Sequence, residues 1–247
     1  MNSTTKRLNA IDAIRGFSVV SMVLFHFCYD LVALAGIDLS WFKPPFEDVW
    51  RASISWTFLF VAGLMCSYSK SDFRRAARYG GLAFAIWIAT TLAAVDTPIS
   101  FGIIFCMAAS TLLYAALQKH NAAPRGLVCG FVLFFSFVIL LGIPRGTIGI
   151  TGCELRLPKE LYSTDLFSWL GFTGPHFTSG DYYPMLPYSL MYLAGSSFGP
   201  LLQKAKLPKW VYNLKLPVLN FIGRHPLEVY VLHQPILLMI TSLVAGA

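Results

Sequence analysis

Long apolar runs broken by short polar connections set the pattern of this chain. Seven runs are long enough for helices that cross a bilayer, since about 20 apolar residues span roughly 30 Å of hydrocarbon. They lie at about 12–35, 52–69, 77–95, 98–118, 126–143, 184–203 and 226–245. The pattern predicts an all-α, polytopic membrane helix bundle of about seven transmembrane helices, in one integral-membrane domain over 1–247. Only Asp96-Thr97-Pro98 parts the third run from the fourth, which predicts an antiparallel hairpin. Asp12 reads as the N-cap of the first helix, and Pro98 and Pro226 as first-turn residues. The longest connection, about 144–183, mixes Gly, Pro, aromatic and charged residues. Loops of that length usually carry function or are disordered. Within it, LYSTDLFSWLGF at 161–172 reads as a short interfacial or re-entrant helix.

Composition agrees with burial in lipid. The 247 residues are 56% hydrophobic and only 13% charged, where soluble domains carry about 25% charge. The net charge of +7 is spread between the runs and not massed in one tract, which argues for membrane orientation and against nucleic-acid binding. One set of connections carries Lys6, Arg7, Lys70, Arg74, Arg75, Arg78, Lys119, Arg125, Lys204, Lys206, Lys209, Lys215 and Arg224. The alternate set holds few cations and most of the carboxylates. The positive-inside rule then puts the N-terminus in the cytoplasm and the C-terminus outside. Four of the five cysteines fall in apolar runs and Cys153 lies in a loop, so a disulfide framework is not expected. No Cys/His spacing resembles a zinc site, and no metal is expected. The first run lacks a cleavage site and reads as a retained helix, not a signal peptide.

Ionisable residues inside such runs are costly and mark candidate function. Arg15 and His26 are eleven residues apart, almost three helical turns, so they share one face of the first helix. Asp30 follows His26 at i+4 on that side. A carboxylate on one ring nitrogen fixes a tautomer and raises basicity, and His–Asp pairs serve as general bases. A packed histidine that only tethers neighbouring helices is the competing reading. Arg15 suits phosphate oxygens, or else anchors the helix by snorkelling beside Asp12. The segment FIGRHPLEVYVLHQP at 221–235 is the second polar concentration. Arg224 and Glu228 read there as i,i+4 partners, and Pro235 as a kink beside His233 and Gln234. In DYYPMLPYSLMYLAG at 181–195, Asp181 is a candidate contact for a sugar or other polar acceptor. Tyr182 is another, or belongs with Tyr183 and Tyr188 to an interfacial aromatic belt.

On these residues the chain resembles a known family. RLNAIDAIRGFSVVSMVLFH (7–26), WTFLFVAGLMCSYSK (56–70), FGIIFCMAASTLL (101–113), DYYPMLPYSLMYLAG (181–195) and FIGRHPLEVYVLHQPIL (221–237) follow one another as in a bacterial membrane family. That family is similar to the catalytic domain of heparan-alpha-glucosaminide N-acetyltransferase. The Arg, ten residues, His pattern is shared with the wider transmembrane acyltransferase superfamily, which includes sugar O-acetylases. Arg15 and His26 match that pair, and Arg224, His225, His233 and Gln234 match the RHP and HQP signatures. Two departures stand out. Many relatives carry a histidine where this chain has Phe105, and the loop DLSWFKPPFEDVW lacks the histidine proposed as catalytic in the lysosomal enzyme. Glucosaminide specificity is therefore not carried over.

The resemblance implies a multi-pass acyltransferase of the bacterial inner membrane. It would take acetyl-CoA from the cytoplasm as co-substrate and pass the acetyl group to a hydroxyl or amine of an external glycan, sugar or lipid-linked acceptor. Arg15, Arg224, His225, His233 and Gln234 would serve the donor, His26 with Asp30 the chemistry, and Asp181 and Tyr182 the acceptor. Pairing into a homodimer is a further expectation. The alternative class is a proton-coupled small-molecule transporter, since intramembrane His and Asp also build proton relays.

Overall fold

A computed structural model describes residues 7–245; Lys6, counted above for orientation, lies outside them. The helices are α1 (Asn9–Ala33), α2 (Phe46–Leu64, continued by a 3-10 turn Met65–Tyr68), α3 (Asp72–Ala93), α4 (Ile103–Lys119), α5 (Leu127–Leu140), α6 (Met185–Lys204), α7 (Lys209–Asn213), α8 (Pro217–Arg224) and α9 (Pro226–Ala245). A helix lies along each expected apolar run, though 98–102 falls outside α4. Four segments among the described residues are long and apolar enough to cross a membrane: Asn9–Ala33, Phe46–Tyr68, Leu127–Arg145 and Pro226–Val244. The chain is thus a mainly helical membrane protein, and in lipid such helices satisfy their own backbone groups.

The chain divides into two compact units, one joining the segment that ends at Phe58 to the segment that begins at Lys206, the other Leu59–Ala205. In the first, α1 packs on α7, α8 and α9. The α1–α8 contact is backbone against backbone. A Cβ on Gly16 would stand 2.0 Å from the Leu219 carbonyl oxygen, and one on Gly223 would stand 1.8 Å from that of Asp12. Small residues at crossing points are how membrane helices approach closely without a hydrophobic drive. Asn220 fastens the same corner: its amide donates to the Asn9 carbonyl at 2.7 Å and its oxygen accepts the Leu216 N–H at 2.8 Å. Farther along α1, Phe25 packs on Phe42 and Trp50, and the Trp50 indole donates to Ser21 Oγ at 2.7 Å.

In the second unit α3 lies on α4, while α6 packs on both α4 and α5. Its interior holds a polar chain. The Tyr192 hydroxyl, fully buried, bonds Thr111 Oγ1 at 2.6 Å and Cys66 Sγ at 2.9 Å. The Arg75 guanidinium donates to the Ala62 carbonyl at 2.8 Å and to the Tyr79 hydroxyl at 3.1 Å. These bonds compensate polar groups that would be costly alone in an apolar interior.

Several local expectations change. Asp12 is not the N-cap of α1. Leu8 holds that place without a side-chain bond, and Asp12 is a buried first-turn carboxylate occupied by arginines. The α3–α4 connection runs over 94–102 and is no three-residue turn. Ala94 turns left-handed (φ 48°) to end α3, and Pro98 lies in the connection, not in a first turn. Backbone bonds explain its length, for Pro98 and Phe101 carbonyls accept the N–H groups of Gly180 and Tyr183. Pro226 does open α9. The 144–183 connection has structure of its own. An antiparallel hairpin pairs β1 (Thr147–Ile150) with β2 (Cys153–Arg156), and two 3-10 turns follow at Lys159–Tyr162 and Asp165–Leu170. The second of these takes the place of the helix expected at 161–172.

Candidate functional site

Arg15, His26 and Asp30 all lie on α1, and α8 and α9 bring their partners. At one end Arg15 donates from Nη1 to the Gly223 carbonyl at 2.9 Å and stands 3.5 Å from Asp12 Oδ1. The buried Asp12 carboxylate also meets Arg7 Nε at 2.6 Å and Arg224 Nε at 3.7 Å. Three guanidiniums thus surround one carboxylate. Positive charge exceeds negative there, and guanidinium forks bond phosphate oxygens in pairs. The reading of Arg224 with Glu228 is overturned. The chain leaves helical geometry at His225 (φ −121°, ψ 44°) between α8 and α9, so the two residues do not share a helix. Glu228 Oε1 instead faces His225 Nδ1 at 3.6 Å.

Eleven residues along α1 from Arg15, about 16 Å of helix rise, His26 meets His233. Their ring centroids are 5.0 Å apart. The Phe25 ring adjoins His26 at 5.9 Å. The His233 ring is buried and its Nδ1 lies 2.5 Å from the Tyr230 carbonyl oxygen. A carbonyl only accepts, so Nδ1 carries the proton, and in the uncharged form of that ring Nε2 is an acceptor. That Nε2 is buried with no hydrogen-bond partner among the described residues. α9 continues through Pro235, where a kink was expected; Pro235 lacks the N–H that would bond the Val231 carbonyl.

One turn beyond His26, Asp30 is fully buried. Both its oxygens accept from Gln234 Nε2, at 3.1 and 3.2 Å. These bonds join α1 to α9 through an Asp30–Gln234 contact that helical spacing alone does not indicate. The Gln234 Oε1 is, like His233 Nε2, a buried acceptor without a partner. Two unpartnered buried acceptors beside the His26 imidazole are chemically suited to a group that donates hydrogen bonds.

Asp181 and Tyr182 belong to the other unit and are engaged in its loops. Asp181 Oδ2 accepts the Ile103 N–H at 3.1 Å, satisfying an orphan donor at the start of α4. The Tyr182 hydroxyl donates to the Ser168 carbonyl at 2.6 Å, and burial pushes its pKa up, which keeps it a neutral donor. These contacts give both residues an architectural role. Asp181→Ala should therefore destabilise the fold by about 1 kcal/mol, the usual cost of a lost helix cap. Thermal unfolding of the purified protein checks this, and an unchanged midpoint would contradict it.

Spacing along the chain does not join His26 to His233 or Asp30 to Gln234, because the partners are at opposite ends of the chain, nor does it mark Asp12 as the centre of an arginine cluster. The one available signal was that all of them fall in the two segments richest in polar residues at membrane depth.

The profile of the family described as heparan-alpha-glucosaminide N-acetyltransferase, catalytic, matches residues 7–235, nearly the whole chain. No curated protein and no solved structure matches it. The chain therefore belongs to the heparan-alpha-glucosaminide N-acetyltransferase catalytic-domain family, and is in general terms a transmembrane acetyltransferase.

Proposed function

We propose that this protein moves an acetyl group from acetyl-CoA on the cytoplasmic side to a hydroxyl or amine of an extracytoplasmic glycan or sugar, with His26 as general base. The observation that supports the reading is the contact of His26, which shares α1 with Arg15, with His233 of α9, whose buried Nε2 has no partner among the described residues. The reading includes seven membrane crossings in the bacterial inner membrane, with the N-terminus inside.

The donor supplies an acyl thioester and a thiolate leaving group. Arg15 and Arg224, in excess over Asp12, hold its phosphates. His26 takes the proton of the acceptor hydroxyl or amine as that atom attacks the thioester carbonyl. His233 Nε2 and Gln234 Oε1 accept hydrogen bonds from the polar groups that enter, and Asp30 holds the Gln234 amide in place. The apolar helices around the pair exclude water, which strengthens each of these contacts.

Arg15→Ala should raise the KM for acetyl-CoA by roughly ten- to a hundredfold, the worth of one charged hydrogen-bonding group. The kcat at saturating donor should change little, and Arg15→Lys should recover only part of the loss. Steady-state kinetics with acetyl-CoA and a panel of hexoses and hexosamines reads this. An unchanged donor KM would remove Arg15 from the donor site. The transporter reading draws on the same buried His and Asp groups; it predicts solute uptake that is indifferent to acetyl-CoA.

A further inference from the structure

An apolar groove of about 470 Å³ lies within the first unit, on the flank of α1 near its start. Ile14 and Phe17 of α1, Ile54 of α2, and Trp210, Leu216 and Leu219 of the α7–α8 segment form its walls. The three serine hydroxyls that line it are already engaged, and Thr57 adds one further hydroxyl. Ser18 donates to the Ile54 carbonyl, Ser21 accepts from the Trp50 indole, and Ser53 donates to the Trp50 carbonyl. The cavity therefore offers little to a polar ligand and much to a hydrocarbon chain. Phe17 (65% exposed) and Trp210 (61%) stand at its edge.

The segment that forms one wall carries the second half of the signature. From Lys204 to Pro217 it holds four lysines and no carboxylate. Lys209 and Lys215 adjoin the lining residues Trp210, Leu214 and Leu216 in sequence. Both are exposed, and neither has an ion-pair partner among the described residues. An apolar slot with cations at its rim and an indole beside them is complementary to a lipid whose headgroup is an anion.

We propose that this groove is a lipid site that holds an acyl chain of an anionic glycerophospholipid, with Lys209 and Lys215 meeting the headgroup phosphate. It lies on the flank of the helix that carries Arg15 and His26, and its occupancy is separate from donor and acceptor binding.

The test is native mass spectrometry of the full chain released from nanodiscs made of equal parts phosphatidylglycerol and phosphatidylcholine with matched acyl chains. The wild-type chain should retain one lipid with a roughly tenfold preference for phosphatidylglycerol, the order expected of two lysines at an anionic surface. Ser53→Phe, at an exposed groove position, should lose that retained lipid. The double variant Lys209→Gln, Lys215→Gln changes only exposed side chains; it should keep a lipid but lose the preference. No retained lipid in the wild type, equal retention of the two lipids, full retention by Ser53→Phe, or an undiminished preference in the lysine variant would each overturn the proposal.

Discussion

His26→Ala is expected to lower acetyl transfer by about 10²- to 10⁴-fold, the usual contribution of a positioned general base. The donor should still bind, because the arginines around Asp12 stand three helical turns from His26 and are untouched by the change. Release of free CoA in the presence of hexoses and hexosamines, with a parallel binding isotherm for acetyl-CoA, separates the two effects. His26→Gln should be as inactive as the alanine variant, since it restores volume without a titratable nitrogen. Wild-type turnover in either variant would assign the proton transfer to another group.

The second large effect concerns stability. Gly16→Ala or Gly223→Ala should each destabilise the protein by about 1–3 kcal/mol, the cost of forcing atoms into a filled contact. The added methyl would stand 2.0 Å from the Leu219 oxygen in one case and 1.8 Å from the Asp12 oxygen in the other. No flexible side chain is there to yield, so α1 and α8 must separate. That separation needs to happen only once, and the double variant should therefore cost clearly less than the sum of the singles. Arg15, which bonds the Gly223 carbonyl, would be displaced by the same movement. Donor affinity should fall together with the unfolding midpoint. Single variants that melt like the wild type would contradict the close crossing.

The apolar runs made the helices legible because periodic burial and length decide them with little help from tertiary context. Less legible were features set by distant chain. Asp12 has the position and chemistry of an N-cap, but α8 brings Arg224 to it and the helix starts earlier. Pro98 looks like a first-turn residue until the 178–183 segment pairs with the connection it occupies. The short helices α7 and α8 lie inside what reads as a basic loop, since five and eight residues give too little periodicity to stand out. In the site, Arg15, His26 and Asp30 could be named from spacing along one helix. Their partners could not, because helical spacing says which residues share a face and nothing about which other helix meets that face.

The measurement that reaches the central claim most directly is an experimental map of the protein with a non-hydrolysable acetyl-CoA analogue. The account predicts nucleotide phosphates against Arg15 and Arg224, and the thioester carbonyl within about 3–3.5 Å of the atom that His26 deprotonates or of the ring itself, the reach of a near-attack geometry. A donor seated away from α1 and α9, or a His26 ring turned to lipid with the thioester out of its reach, would contradict it.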